Sequence, residues 1–137
     1  MDWKECCNKR IVKEVKKDDE LIKSLINISK NKLESENKLP MGDITAASKL
    51  SLAYDSLREL LEALAIKHGY KIYNHECYTA FLKEILEESD KGEEFDEIRK
   101  IRNFVNYYGK DISIQESKEV IRRIKNLRKD VLRLLIK

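Results

Sequence analysis

From Ile44 to Lys67 the chain runs without a glycine or a proline, and its apolar side chains recur every third or fourth residue: Ala47, Leu50, Tyr54, Leu57, Leu61, Leu64 and Ala65. That spacing places them on one face of an α-helix. The constraint extends along the chain, because 137 residues contain one proline and four glycines and no stretch alternates apolar with polar as a strand would. Leu, Ile, Lys and Glu dominate, and all but Ile are strong helix formers. The expected fold is all-α, an antiparallel up-and-down bundle of about five helices, with residues 1–137 as a single domain.

The first helix is expected from Trp3 to about Ser35, with a break around Lys16 to Asp19 and a core stripe of Val12, Val15, Ile22, Leu25, Ile26, Ser29 and Leu33. "ENKLPMGD" ends it, with Pro40 and Gly42 as breakers and Asp43 as cap of the next helix. That second helix, Ile44 to Lys67, carries Arg58 and Glu62 as an i,i+4 pair, and Gly69 supplies its left-handed C-terminal residue. Asn74 caps a third helix, His75 to Ser89, with Tyr78, Phe81, Leu82, Ile85 and Leu86 facing inward. A fourth follows from Glu93 to Tyr108, its positive end favoured by Glu93 and Glu94, and Gly109 stops it. "SIQE", Ser113 to Glu116, has capping-box spacing, so a fifth helix starts at Ile114 and runs to about Leu135, burying Val120, Ile121, Ile124, Leu127, Val131 and Leu134.

The net charge of +3 conceals an asymmetry. His75 to Ile98 holds nine acids against two lysines, and Lys118 to Lys137 eight bases against two acids. Such runs are solvated helix faces or a dipole that steers an anionic ligand. Cys6, Cys7 and Cys77 are odd in number and lack metal-binding spacing, so they read as packing residues in a reducing compartment, with neither disulfide nor zinc expected. No stretch approaches the ~20 apolar residues of a membrane span, and "MDWKECCNKR" lacks a signal-peptide apolar region, so no membrane association and a cytoplasmic location are expected. Abundant Lys, Glu and Ile with few Gln and Met is compatible with a thermophilic source.

Chemistry concentrates in "IRKIRNFVNYYGK", Ile98 to Lys110. Phe95, Ile98, Ile101, Val105 and Tyr108 form the core-facing stripe of this helix. Arg99, Arg102, Asn103 and Asn106 are left toward another surface, beside Tyr107. Arg99 with Asn103, and Arg102 with Asn106, are each four apart. Guanidinium forks and amides offer several donors of fixed geometry and a permanent charge, which suits phosphate. A solvated face of polar pairs explains the same pattern.

"LAYDSLRELLEALAIKHGYKIYNHECYTAFL", followed by an Arg-Asn helix segment ending "YYG", resembles the HEPN superfamily of small helical-bundle proteins over roughly Leu50 to Leu135. Members share an arginine and a histidine with four to six residues between, often with a polar residue directly after the arginine. Many are metal-independent ribonucleases, often toxins, whose symmetric dimers bring two motif copies into one cleft. The resemblance implies a homodimer that binds RNA or a nucleotide and needs no cofactor or metal. Arg102 matches the motif arginine and Asn103 the polar residue, and the histidine position falls at Tyr107, with Tyr108 and Gly109 continuing the segment. Arg102 and Tyr107 are therefore the candidate catalytic pair, and Arg99, Asn103, Asn106 and Tyr108 the candidate binding residues.

Tyrosine at that position changes the chemistry. A histidine of pKa ~6.5 accepts and donates protons near neutrality, whereas a tyrosine of pKa ~10 stays protonated and is a poor base. Binding with weak or absent cleavage is the expectation. The alternative is a partner or substrate-binding subunit of a minimal nucleotidyltransferase in a toxin-antitoxin-like pair, with Tyr107 as a target for modification. A metal-dependent four-helix enzyme lacks the Glu-x-x-His pairs it would need.

His68 is expected to interact with the negative end of the second helix, and His75 to serve the start of the third helix or its packing. Tyr70, Tyr73 and Tyr78 form a buried aromatic hinge or, with Lys67 and Lys71, a surface for stacking nucleobases; the hinge is favoured. Trp3 is a core anchor or an interface residue.

Overall fold

Residues Ala46–Lys67 form the helix around which the chain is arranged, α3. Its buried residues wrap most of its circumference, from Leu50, Tyr54 and Leu57 on one side to Ser56, Glu59 and Leu60 on another. A helix buried this far round must lie among neighbours. α2 (Asp19–Lys38) and α6 (Ile114–Ile136) make the most extensive contacts with it. The computed structural model describes residues 1–107 and 111–137, without the side chain of Tyr107. Among these residues it is an all-helical bundle of six α-helices with one two-stranded sheet. Gly109 as a helix stop and Tyr108 as a core residue lie outside the described residues.

The expected first helix is instead three elements. α1 (Trp3–Asn8) ends where Arg10 takes a left-handed φ of 58°, β1 (Val12–Glu14) follows, and α2 begins at Asp19. β1 pairs antiparallel with β2 (Tyr70–Ile72), Val12 opposite Ile72. Val12 and Val15 share three-residue spacing with the helix stripe, but both are β-branched and favour a strand once a partner exists. The partner lies beyond α3, where Gly69 (φ 88°) turns the chain as expected and its carbonyl accepts from Val15 N–H at 2.9 Å. Asp18 caps α2 by accepting from Leu21 N–H at 3.1 Å.

Asp43 does not cap α3. Thr45 occupies that position, and its hydroxyl instead accepts from Gly42 N–H at 2.9 Å and donates to Pro40 O, folding the Pro-Gly turn onto itself. The expected third helix is also shorter. α4 (Glu76–Ala80) passes into a π-helical turn, Phe81–Ile85, and left-handed Glu87 (φ 56°) lets Glu88 N–H reach Leu82 O at 2.8 Å. α5 (Ser89–Tyr107) follows and includes Gly92. Glu93 and Glu94 therefore lie inside α5, not at its start. On α6 the capping box of Ser113 and Glu116 is present as expected, and Leu135, not Leu134, is the buried residue near its end.

The two charge runs meet. Arg123 of α6 donates through Nε to Glu94 at 3.0 Å and also pairs with Glu97, both on α5. A second set of charges is buried. Glu36 of α2, 2% exposed, pairs with Lys49 of α3 at 3.2 Å and with Lys125 of α6 at 3.0 Å. Lys49 also donates to Leu39 O at 2.6 Å, closing the end of α2. Desolvating such a pair is tolerable only when further hydrogen bonds complete it.

Cys6 and Cys77 are not separate thiols: a disulfide joins them, tying α1 to α4, and Cys7 is free and exposed. Cysteine number and spacing carried no sign of the pairing, since the residues lie 71 apart in sequence. Trp3 packs edge-on against Tyr70, ring centroids 5.0 Å apart, so it anchors α1 to the bundle.

Two substitutions test these ties by urea unfolding. Cys77→Ser removes a cross-link that closes a long loop and is expected to cost about 2–4 kcal/mol, with reduction of the unsubstituted protein costing a similar amount. Lys49→Met leaves the buried Glu36 carboxylate short of a cation and is expected to cost about 3 kcal/mol.

Candidate functional site

The start of α4 and the middle of α5 come together in one polar pocket. Asn74 accepts from Glu76 N–H at 2.8 Å through Oδ1, the capping expected of it, and this sets His75 on the first turn. α5 can lie close because Gly92 faces α4 and the π-turn: a Cβ there would fall 2.6 Å from Lys83 Cγ and 3.2 Å from Thr79 O. The cavity between them, about 260 Å³, is lined by Asn74, His75, Glu76, Arg99, Arg102 and Asn103.

Tyr54 of α3 contacts two of the lining side chains, Arg102 and His75. The guanidinium carbon of Arg102 lies 4.9 Å from the Tyr54 ring centroid, a cation–π contact, and Arg102 Nη1 donates to Asn103 Oδ1 at 3.3 Å. Arg99 is oriented by Asp96, which accepts from its Nη2 at 2.8 Å and from the Thr79 hydroxyl at 3.2 Å. Tyr54 OH lies 3.0 Å from His75 Nδ1. Burial pushes the Tyr54 phenol up, keeping it protonated. A fully buried hydroxyl must donate, and with His75 as its partner the proton points at Nδ1. We therefore assign the neutral ring its proton on Nε2, the donor it can offer the pocket.

Burial, then the charges of Arg58, Arg102 and Arg99, lower the His75 pKa to about 4. At neutral pH the site holds Arg99, paired with Asp96 at 2.8 Å, the Arg102 cation, the Glu76 carboxylate, paired with the N-terminal ammonium at 3.1 Å, and an uncharged imidazole. It can bind an anion through guanidinium, amide and imidazole donors, and its histidine is a poor base.

Three of the expected binding and catalytic residues, Arg99, Arg102 and Asn103, line the pocket together. Asn106 is exposed and outside the lining, and the four-residue pairings do not form: Arg102 bonds its neighbour Asn103, and Arg99 bonds Asp96. The Tyr107 side chain and Tyr108 lie outside the described residues. His75, Asn74 and Tyr54 were not expected in the site. They reach Arg102 across the fold from separate elements, which no spacing along the chain announces. His75 does meet its expected packing role, since its ring lies 5.8 Å from that of Tyr54.

His68 sits at the end of α3 as expected, its N–H donating to Ala65 O at 3.0 Å and its ring edge-on to Phe81. Burial and then Lys67 lower its pKa. Ile101 and Val105, expected in the core, are half-buried and line an apolar groove of about 290 Å³ with Phe104 and Ile112. Among the described residues no group of three or more His, Cys, Asp or Glu could hold a metal ion.

The environment of His75 gives a pH signature. Its folded pKa lies below the unfolded value of ~6.5, so the unfolded chain binds the extra proton first, and stability present above pH ~6.5 is lost as pH falls toward the folded value of about 4. By NMR the His75 imidazole should titrate near that pH, and Arg102→Ala should raise its midpoint by removing one of the repelling charges. No family model matches this chain, and no curated protein or solved structure matches it.

Proposed function

We propose that this chain is a HEPN-like protein that binds RNA or a nucleotide by its phosphate, with weak or no cleavage. The observation that carries the reading is the convergence of Arg99 and Arg102 with Asn74, His75 and Asn103 around one pocket. Arg102 supplies a forked, permanently charged donor to a phosphate oxygen, and its contact with the Tyr54 ring holds it in place. The amides and the His75 Nε2–H add neutral donors.

The same geometry argues against efficient catalysis. Opening a ribose-phosphate bond needs a base for the 2′-hydroxyl proton and an acid for the leaving oxygen. A histidine with a pKa of about 4 accepts a proton with little driving force at neutral pH. Its Nδ1 is taken up by Tyr54 and its Nε2 carries the proton, so acting as a base would require the tautomer to reverse. A homodimer is part of the proposal by resemblance alone; a cytoplasmic location is also proposed, without the free-thiol argument for a reducing compartment, which the Cys6–Cys77 disulfide withdraws. The nucleotidyltransferase-partner alternative rests on the same resemblance, and no feature of the pocket favours it.

Fluorescence anisotropy with a labelled single-stranded RNA tests the reading. Arg102→Ala is expected to weaken binding about tenfold or more and to reduce the slope of log affinity against log salt by about one. Unchanged affinity in that variant would exclude Arg102 as the phosphate ligand.

A further inference from the structure

Of the three tyrosines around the α3–α4 connection, Tyr78 is buried and Tyr70 packs against Trp3, but Tyr73 is 57% exposed. Lys13 stands opposite Lys71 in the β1–β2 register, and Tyr73 follows Lys71 by two residues. Side chains alternate along a strand, so these three share the outer face, while Val12 and Ile72 point into the core. The backbone beneath Tyr73 is held, its N–H donating to Ile11 O at 2.9 Å. Lys13 Nζ and Lys71 Nζ lie 5.7 and 5.9 Å from the ring centroid. That is the outer limit of cation–π contact, and with both ammonium groups near its ring Tyr73 is still more than half exposed. Glu62 orients Lys71 at 2.6 Å.

We propose that Tyr73, flanked by Lys13 and Lys71, is a stacking platform for a nucleobase of single-stranded RNA. An exposed aromatic between two cations on a small sheet meets both requirements of such a ligand, a flat apolar surface for the base and positive charge for the adjoining phosphates. The next two residues, Asn74 and His75, already line the phosphate pocket. In this proposal a base on Tyr73 and a phosphate at Arg102 come from one strand. This step rests on the phosphate-binding reading but adds a separate site, on a different element, for a different part of the ligand. It also explains an exposed tyrosine that does not contribute to the core.

The full-length protein is titrated with two labelled probes of equal length, a hexauridylate and an abasic ribose-phosphate hexamer, in the unsubstituted form and as Tyr73→Ala, Tyr73→Trp and Arg102→Ala. Hexauridylate should bind more tightly than the abasic strand. Tyr73→Ala should lower hexauridylate affinity about tenfold while leaving the abasic strand unchanged, and Tyr73→Trp should retain the difference. Equal binding of the two probes by the unsubstituted protein would overturn the platform, as would a Tyr73→Ala loss shared equally by both. Arg102→Ala separates the two readings. Weakening of both probes supports the phosphate pocket whatever Tyr73 does, whereas an effect of Tyr73→Ala alone would leave the platform standing and remove the pocket. Binding of neither probe would remove both.

Discussion

The buried hydroxyl of Tyr54 has to find a partner, and the partner it finds links core to pocket. Its ring is fully inside the bundle, stacked 6.0 Å from that of Phe95 of α5. Its oxygen reaches His75 and its face carries Arg102, so a residue placed by packing sets the direction of two polar side chains on other elements. Leaving that hydroxyl unpaired would cost roughly 1–3 kcal/mol, which is why its partner is specified so firmly. The pocket is a consequence of how α3 is buried.

The rest of the architecture serves the same packing. α3 is enclosed by helices that carry many charges, and the structure places those charges against each other. Glu36 joins Lys49 and Lys125 where α2, α3 and α6 meet, and Arg123 joins α6 to the acidic α5. Contact between the two runs is made by Arg123, through Glu94 and Glu97, while Arg122 and Arg133 pair with acids of α6 itself. Arg99 is likewise paired, with Asp96, but it and Arg102 also line a cavity, where their donors can meet a ligand.

The parts legible in the sequence were those governed by local chemistry. The span of α3, the left-handed Gly69, the capping by Asn74 and the capping box of α6 each rest on residues within a turn of one another. Arg102 with Asn103 was identified because both lie on one helix. Errors arose where a distant partner decided the outcome. Val12 became a strand because β2 lies beside it, and Cys6 pairs with a cysteine brought near by the fold. Glu87 takes a left-handed conformation with no glycine to signal it. Gly92, which falls outside both expected helices, is the point where α5 approaches Lys83 and Thr79.

The sequence by itself determined the helical class, most helix boundaries and the arginines of the candidate site, because helix periodicity and capping act over three or four residues. Only the tertiary structure decided what surrounds those arginines. His75, Asn74 and Tyr54 reach Arg102 from different elements, and both the lowered pKa of His75 and its tautomer depend on that enclosure. Desolvation and charge proximity are properties of space, which residue order along a chain does not encode locally.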